Sequence, residues 1–142
     1  MLFPKKVKHR KWQTARKNPK YRRNATRGTT IVNGTHGLKA TTGARVTSNQ
    51  IEAARKVLTR EVGKFGKYYI RIFPDRPITR KAAEVGMGKG KGDPQGFCFE
   101  VEPGRIMFEV GNVPDAQARE ALRKAGTKLP LTSKIVNQND IY

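Results

Sequence analysis

Phe97-Cys98-Phe99-Glu100-Val101-Glu102-Pro103-Gly104-Arg105-Ile106-Met107-Phe108-Glu109-Val110 is the stretch on which the fold turns. Phe97, Phe99 and Val101, then Ile106, Phe108 and Val110, alternate with the period of two that marks half-buried strands, and Pro103-Gly104 supplies a turn between them. A two-residue turn predicts a hairpin with Val101 opposite Ile106, Phe99 opposite Phe108 and Glu102 opposite Arg105. The same alternation sends Glu100, Glu102 and Glu109 to a solvated face. Cys98, held between two phenylalanines, reads as a buried thiol rather than a nucleophile.

Working outward, Lys67 to Phe73 has strand character, with Tyr68, Ile70 and Ile72 on one face and Arg71 between Tyr69 and Phe73 on the other. Upstream, Thr47-Ser48-Asn49-Gln50 fits a capping box. Ile51, Ala54, Leu58 and Val62 then form one apolar stripe, so a helix is expected to run to Gly63 or Gly66. Thr29 to Val32, the Asn33-Gly34 turn and Gly37 to Thr41 read as a short hairpin. Pro74-Asp75-Arg76-Pro77 breaks the third strand. Downstream, Pro114 suits the first position of a second helix with Ala118, Ala121, Leu122, Ala125 and Leu129 as its core stripe. Leu131 to Val136 reads as an edge strand. These elements predict an α+β fold in which two helices pack on a small, largely antiparallel or mixed sheet.

Charge divides the chain. Its 142 residues carry 30 Lys/Arg against 11 Asp/Glu, a net charge of +19. Residues 1–51 hold 13 of the cations and no acid. Such a balance calls for a polyanionic partner, nucleic acid or an anionic membrane surface. The division predicts a basic arm over 1–28, one domain over 29–136 and a loosely held tail over 137–142. The arm has Lys5, Lys6, Lys8, Arg10, Lys11, Arg16, Lys17, Lys20, Arg22, Arg23 and Arg27, but only Phe3, Val7, Trp12 and Tyr21 as large apolar groups. So few side chains do not offset a backbone entropy of about 1–2 kcal/mol per ordered residue, and by itself the arm is expected to be disordered, ordering on its polyanionic partner. On RNA its arginines would fork onto phosphates while Trp12 and Tyr21 stack on unpaired bases or cap a groove; a solubilising tail is the other reading, disfavoured by 11 cations with no anion.

The second cationic feature is Gly86-Met87-Gly88-Lys89-Gly90-Lys91-Gly92. Glycine lets the backbone approach a phosphate closely and adopt positive-φ turns, and Lys89 and Lys91 add mobile charge. An exposed flexible connection is the other reading of the same residues. Arg55, Lys56 and Arg60 on the first helix are either a solvated face or a further phosphate-contacting surface, and the charge context favours the surface. His36 reads as a turn or RNA-facing residue.

Several function classes fall away. The loop matches neither G-x-x-x-x-G-K-[S/T] nor G-x-G-x-x-G, and a strand rather than a helix is expected after it, so a nucleotide hydrolase lacks its parts. Neither His9 nor His36 has metal-site spacing, and the paired glutamates of the hairpin have no acid–base partner, so no catalytic residue, metal or cofactor is expected. Helix-turn-helix and zinc-finger patterns of a DNA-binding protein are also missing. No apolar run is long enough to cross a membrane, and a single cysteine points to a reducing compartment.

Gln50-Ile51-Glu52-Ala53-Ala54-Arg55, Ile70-Arg71-Ile72-Phe73-Pro74-Asp75-Arg76-Pro77-Ile78-Thr79, Met87-Gly88-Lys89-Gly90-Lys91-Gly92, Pro103-Gly104-Arg105, Val113-Pro114 and Lys128-Leu129-Pro130 occur in one order. Together they resemble bacterial-type large ribosomal subunit protein sixteen, from Met1 to about Val136. The resemblance implies a hammerhead-like α+β fold and a non-enzymatic, structural role. Its implied partners are large-subunit rRNA, bound late in assembly, aminoacyl-site tRNA near the peptidyl transferase centre, and neighbouring ribosomal proteins, without membrane or homo-oligomer. It implies a cytoplasmic ribosome, with an organellar one as the alternative, and its start at Met1 weighs against a transit peptide.

By motif position the RNA-facing role carries to Lys5, Lys6 and Arg10, to Arg55 and Arg60, and to Lys89 and Lys91; the charge reading adds Lys8, Lys11, Arg16, Lys17, Arg22, Arg23, Lys56 and Arg71. Three departures stand out. Gly86 occupies the place of an arginine that some bacteria hydroxylate, Pro94-Gln95-Gly96 replaces the usual aromatics, and His36 replaces a phenylalanine. The arm is also longer than usual near Asn18 to Arg27.

Overall fold

The structure, a computed structural model, describes residues 2–13 and 23–140. Seven strands and two helices follow in the order β1 (His36–Ala40), β2 (Ala44–Thr47), α1 (Ser48–Val62), β3 (Lys67–Ile70), β4 (Arg76–Arg80), β5 (Asp93–Val101), β6 (Ile106–Gly111), α2 (Asp115–Gly126) and β7 (Ser133–Asn137). They form two antiparallel sheets, β3-β6-β1-β7 and β2-β5-β4. The α+β class expected from the sequence is the one found.

The first helix begins as its capping box dictates. The Thr47 hydroxyl accepts from the Gln50 amide, and the Gln50 side chain accepts from the Thr47 amide at 2.9 Å. Gly63 ends it at φ 74°, a left-handed turn open to glycine without Cβ strain. Ile51, Ala54, Leu58 and Val62 are buried as their spacing predicts. So are Ala118, Ala121, Leu122 and Ala125 on α2, which starts one residue later than expected, with Pro114 as its cap. The two helices pack on each other; α1 also meets strands of both sheets, whereas α2 lies against β1, β6 and β7. β7 is an edge strand, and the Cys98 thiol is fully buried.

The hairpin expectation is corrected. Pro103-Gly104 does form a turn, closed by the Arg105 amide on the Glu102 carbonyl at 3.2 Å. Beyond it the two strands part into different sheets. In place of the expected partners, Val101 faces Ala44, Phe99 faces Val46 and Phe108 lies between Leu38 and Ile70. Distant segments take the backbone groups a hairpin would have used: the Gly104 amide donates to Ala40, the Ile106 amide to Gly28, and the Arg105 carbonyl accepts from Ala40. Arg105 does not pair with Glu102. Its guanidinium donates to the Arg27 and Arg71 carbonyls and lies over the Phe99 ring, 5.4 Å from its centroid.

Because β6 is interior, every one of its residues is buried, which corrects the solvated placement of Glu109. Its carboxylate pairs with Arg71 and accepts from the amides of Val32, Asn33 and Gly34 at 3.1, 2.6 and 2.8 Å. Thr29 to Val32 is no strand: the Val32 amide, with those of Asn33 and Gly34 in the expected turn, goes to a side chain on β6 instead of to a partner strand. β1 instead pairs with β6 and β7. The strand beginning at Lys67 stops at Ile70, and the proline-rich stretch after it contains β4, an edge strand in which Pro77 costs no ladder donor. His36 is buried rather than turn- or RNA-facing; Nε2 meets Asp115 Oδ1 at 2.6 Å and Nδ1 meets the Thr35 hydroxyl at 2.9 Å.

Candidate nucleic-acid interface

The loop between β4 and β5 is tight at its base and open at its tip. A Cβ on Gly92 would fall within 2.6 Å of the Arg80 backbone, so glycine is required there for close approach. From Ala82 to Lys91 the chain is exposed, and Met87 is 99 % exposed. Gly88, Lys89 and Gly90 are successive left-handed residues at φ 84°, 62° and 89°. For Lys89 that conformation costs about 1–2 kcal/mol, a strain of the kind found where backbone is shaped for contact. No described residue lies within 4 Å of a Cβ placed on Gly86, Gly88 or Gly90. Lys81 reaches back to donate to the Gly88 carbonyl, which steadies the curl.

The described part of the arm runs beside this loop. Leu2 packs against the core, and its carbonyl accepts from the Ser48 hydroxyl at 2.7 Å. Farther on, Lys11 donates to the Lys91 carbonyl at 3.2 Å, Lys91 donates to the Trp12 carbonyl, and the Arg76 guanidinium stands 5.8 Å from the Trp12 ring centroid. The reciprocal lysine–carbonyl bonds bring the two basic features together. Lys5, Lys6, Lys8 and Arg10 are exposed between these anchors, and none has an ion pair with another described residue. Arg23 is exposed too. Arg16, Lys17 and Arg22 lie outside the described residues, as do Lys20 and Tyr21.

On α1 the three cations differ. Lys56 and Arg60 are exposed and unpaired among the described residues. Arg55 instead grips Glu52 through two nitrogens at 2.5 and 3.0 Å and donates to the Tyr68 hydroxyl at 3.4 Å. The Glu52 hydrogen bond, then Tyr68, pushes the Arg55 pKa up, and the same Arg55 bond holds the Glu52 carboxyl below its ordinary value. Arg71 is spent on Glu109 and on the Thr30 carbonyl at 3.0 Å. The sequence reading missed that commitment; its signal was an acid flanked by Phe108 and Val110 in an apolar run, with an arginine directly after the neighbouring strand β3.

Six of the 11 acids are neutralised within the fold. Glu52, Glu61, Glu100, Glu109, Asp115 and Glu120 all have ion-pair partners in the chain. Burial pushes the Cys98 pKa up, which keeps the thiol protonated and unreactive. No group of His, Cys, Asp or Glu among the described residues is placed to hold a metal, and no described helix is long and apolar enough to cross a membrane. A family model described as ribosomal protein L16p/L10e matches residues 4–136, nearly the whole chain, so this chain belongs to that family of structural proteins of the large ribosomal subunit.

Proposed function

We propose that the chain binds large-subunit rRNA near the peptidyl transferase centre and helps position aminoacyl-site tRNA, after joining the subunit late in assembly. The observation that carries this reading is the joining of arm and loop: Lys11, Trp12 and Lys91 hold one basic surface together beside a strained, exposed tip. On it Lys5, Lys6, Lys8, Arg10 and Arg23 meet rRNA, together with Arg16, Lys17 and Arg22 of the same arm. Gly86 to Gly92 faces tRNA, and Lys89 carries its free charge. Lys56 and Arg60 extend the surface along α1. Arg55 and Arg71 act by holding Glu52 and Glu109 rather than by touching phosphate first. The arm, the 29–136 domain and the short tail work as one unit on the ribosome, with neighbouring subunit proteins as further partners.

Replacement of Lys89 and Lys91 by alanine tests the loop. Binding to large-subunit rRNA or tRNA is expected to show a log K against log salt slope shallower by about 0.7–0.9 for each phosphate contact removed. An unchanged slope would show both lysines to be merely solvated.

A further inference from the structure

Phe65 lies in the turn between α1 and β3 and is 87 % exposed, the most exposed aromatic among the described residues. A lone exposed apolar side chain needs no explanation where a surface is soft, but this turn is fixed on both sides. Gly63 holds φ 74° with its amide on the Thr59 carbonyl, and Gly66 is so closely packed that a Cβ would run into Val62 and Val113. From α2, the Gln117 side chain donates to the Glu61 and Val62 carbonyls at 2.7 and 3.4 Å, securing the last turn of α1. Phe65 is therefore presented outward by a rigid support.

Its neighbours are cationic. Lys64 and Lys67 flank it, both exposed and without an ion pair among the described residues, and Lys56 and Arg60 lead up to it along α1. No acid occurs between Glu61 and Asp75, and Glu61 is turned to Lys124 at 2.9 Å. A flat apolar ring inside a field of unpaired cations matches the chemistry of a nucleic-acid strand: the ring takes the face of an unpaired base while the cations take the phosphates beside it. An apolar pocket on a neighbouring protein would gain nothing from the cations.

We infer that Phe65 is a stacking platform for an unpaired base of rRNA, with Lys64 and Lys67 on the adjoining phosphates. This inference rests on the proposed rRNA binding and adds a contact at the far end of α1. Full-length Phe65→Ala and Phe65→Tyr chains test it, by titration onto protein-free large-subunit rRNA and by chemical probing of unpaired bases in the complex. Phe65→Ala is expected to weaken binding by about 5- to 150-fold, the range one base–aromatic stack carries, with the salt slope unchanged because a stack releases no counterions. At least one unpaired base should become reactive, and Phe65→Tyr should restore both affinity and protection.

Unchanged affinity and protection in Phe65→Ala, while replacement of Lys5, Lys6 and Arg10 by alanine still makes the salt slope shallower, would overturn the platform and leave the wider reading intact. Loss of incorporation into subunits with normal binding to bare rRNA would assign Phe65 to a protein neighbour, also overturning it. If the unaltered chain failed to bind the rRNA, both would fall together.

Discussion

Glu109→Gln is the substitution on which the structural reasoning is most exposed. The side chain keeps its shape, but the buried carboxylate loses the charge that balances Arg71, and an amide NH₂ is set against one of the backbone N–H groups of Val32, Asn33 and Gly34. Removing one partner of a buried ion pair costs about 3–5 kcal/mol. For a domain of this size that corresponds to a melting temperature lower by roughly 12–20 °C, at about 4 °C per kcal/mol. Burial pushes the Glu109 pKa up, but Arg71 and the three amides outweigh it and hold it below its ordinary value. A depressed folded-state pKa means that the contribution is complete above the unfolded value of about 4.3 and is lost as pH falls through the folded one. Thermal melts followed by circular dichroism should thus show a wide gap between the two proteins at pH 7 that narrows below about pH 4. The Arg71→Met, Glu109→Gln double replacement should cost less than the sum of the two singles by about 0.5–3 kcal/mol. A Gln variant melting within about 2 °C of the parent at pH 7, or strict additivity in the cycle, would refute the buried pair as a structural latch.

Gly66→Ala should destabilise the fold by about 1–3 kcal/mol through overpacking against Val62 and Val113, whereas Gly86→Ala, facing open space, should leave the urea midpoint unmoved. Thr47→Ala removes the hydroxyl that caps α1 and should cost about 1 kcal/mol in the same denaturation assay. Trp12 is the chain's only tryptophan, so its fluorescence reports on the arm alone. Lys91→Ala is expected to raise acrylamide quenching of Trp12, since the lysine bond to the Trp12 carbonyl is lost; equal quenching would show that loop and arm are not held together.

What the sequence disclosed follows the range of the forces involved. The cap at Thr47, the stripe through Ile51, Ala54, Leu58 and Val62, and the Pro103-Gly104 turn depend on residues within one helical turn or one tight turn of each other, and all three are present. The error at the hairpin came from assuming that strands joined by a turn must pair. Whether they do depends on competitors for the backbone groups of Gly104 to Ile106, and those competitors, Gly28 and Ala40, lie more than sixty residues away. No local pattern announces them. Strand β6 carried one usable sign of its interior position, since the five residues from Ile106 to Val110 include only one charge, and an acid so placed needs a partner.

The site was legible as composition but not as allocation. Charge counting treats Arg55 on α1 and Arg71 just after β3 alike with the cations of the arm, yet these two have carboxylates in reach while Lys5, Lys6, Lys8 and Arg10 have none among the described residues. The difference arises because the first 51 residues contain no acid at all, so any partner must come from elsewhere in the fold. Those acids are held instead by Arg71, Arg76, Arg119, Arg123 and Lys124 on the folded elements. Pairing within the domain thus leaves Lys5, Lys6, Lys8 and Arg10 without a carboxylate among the described residues, and a domain whose acids were set free by substituting these partners would offer the arm competing anions of its own.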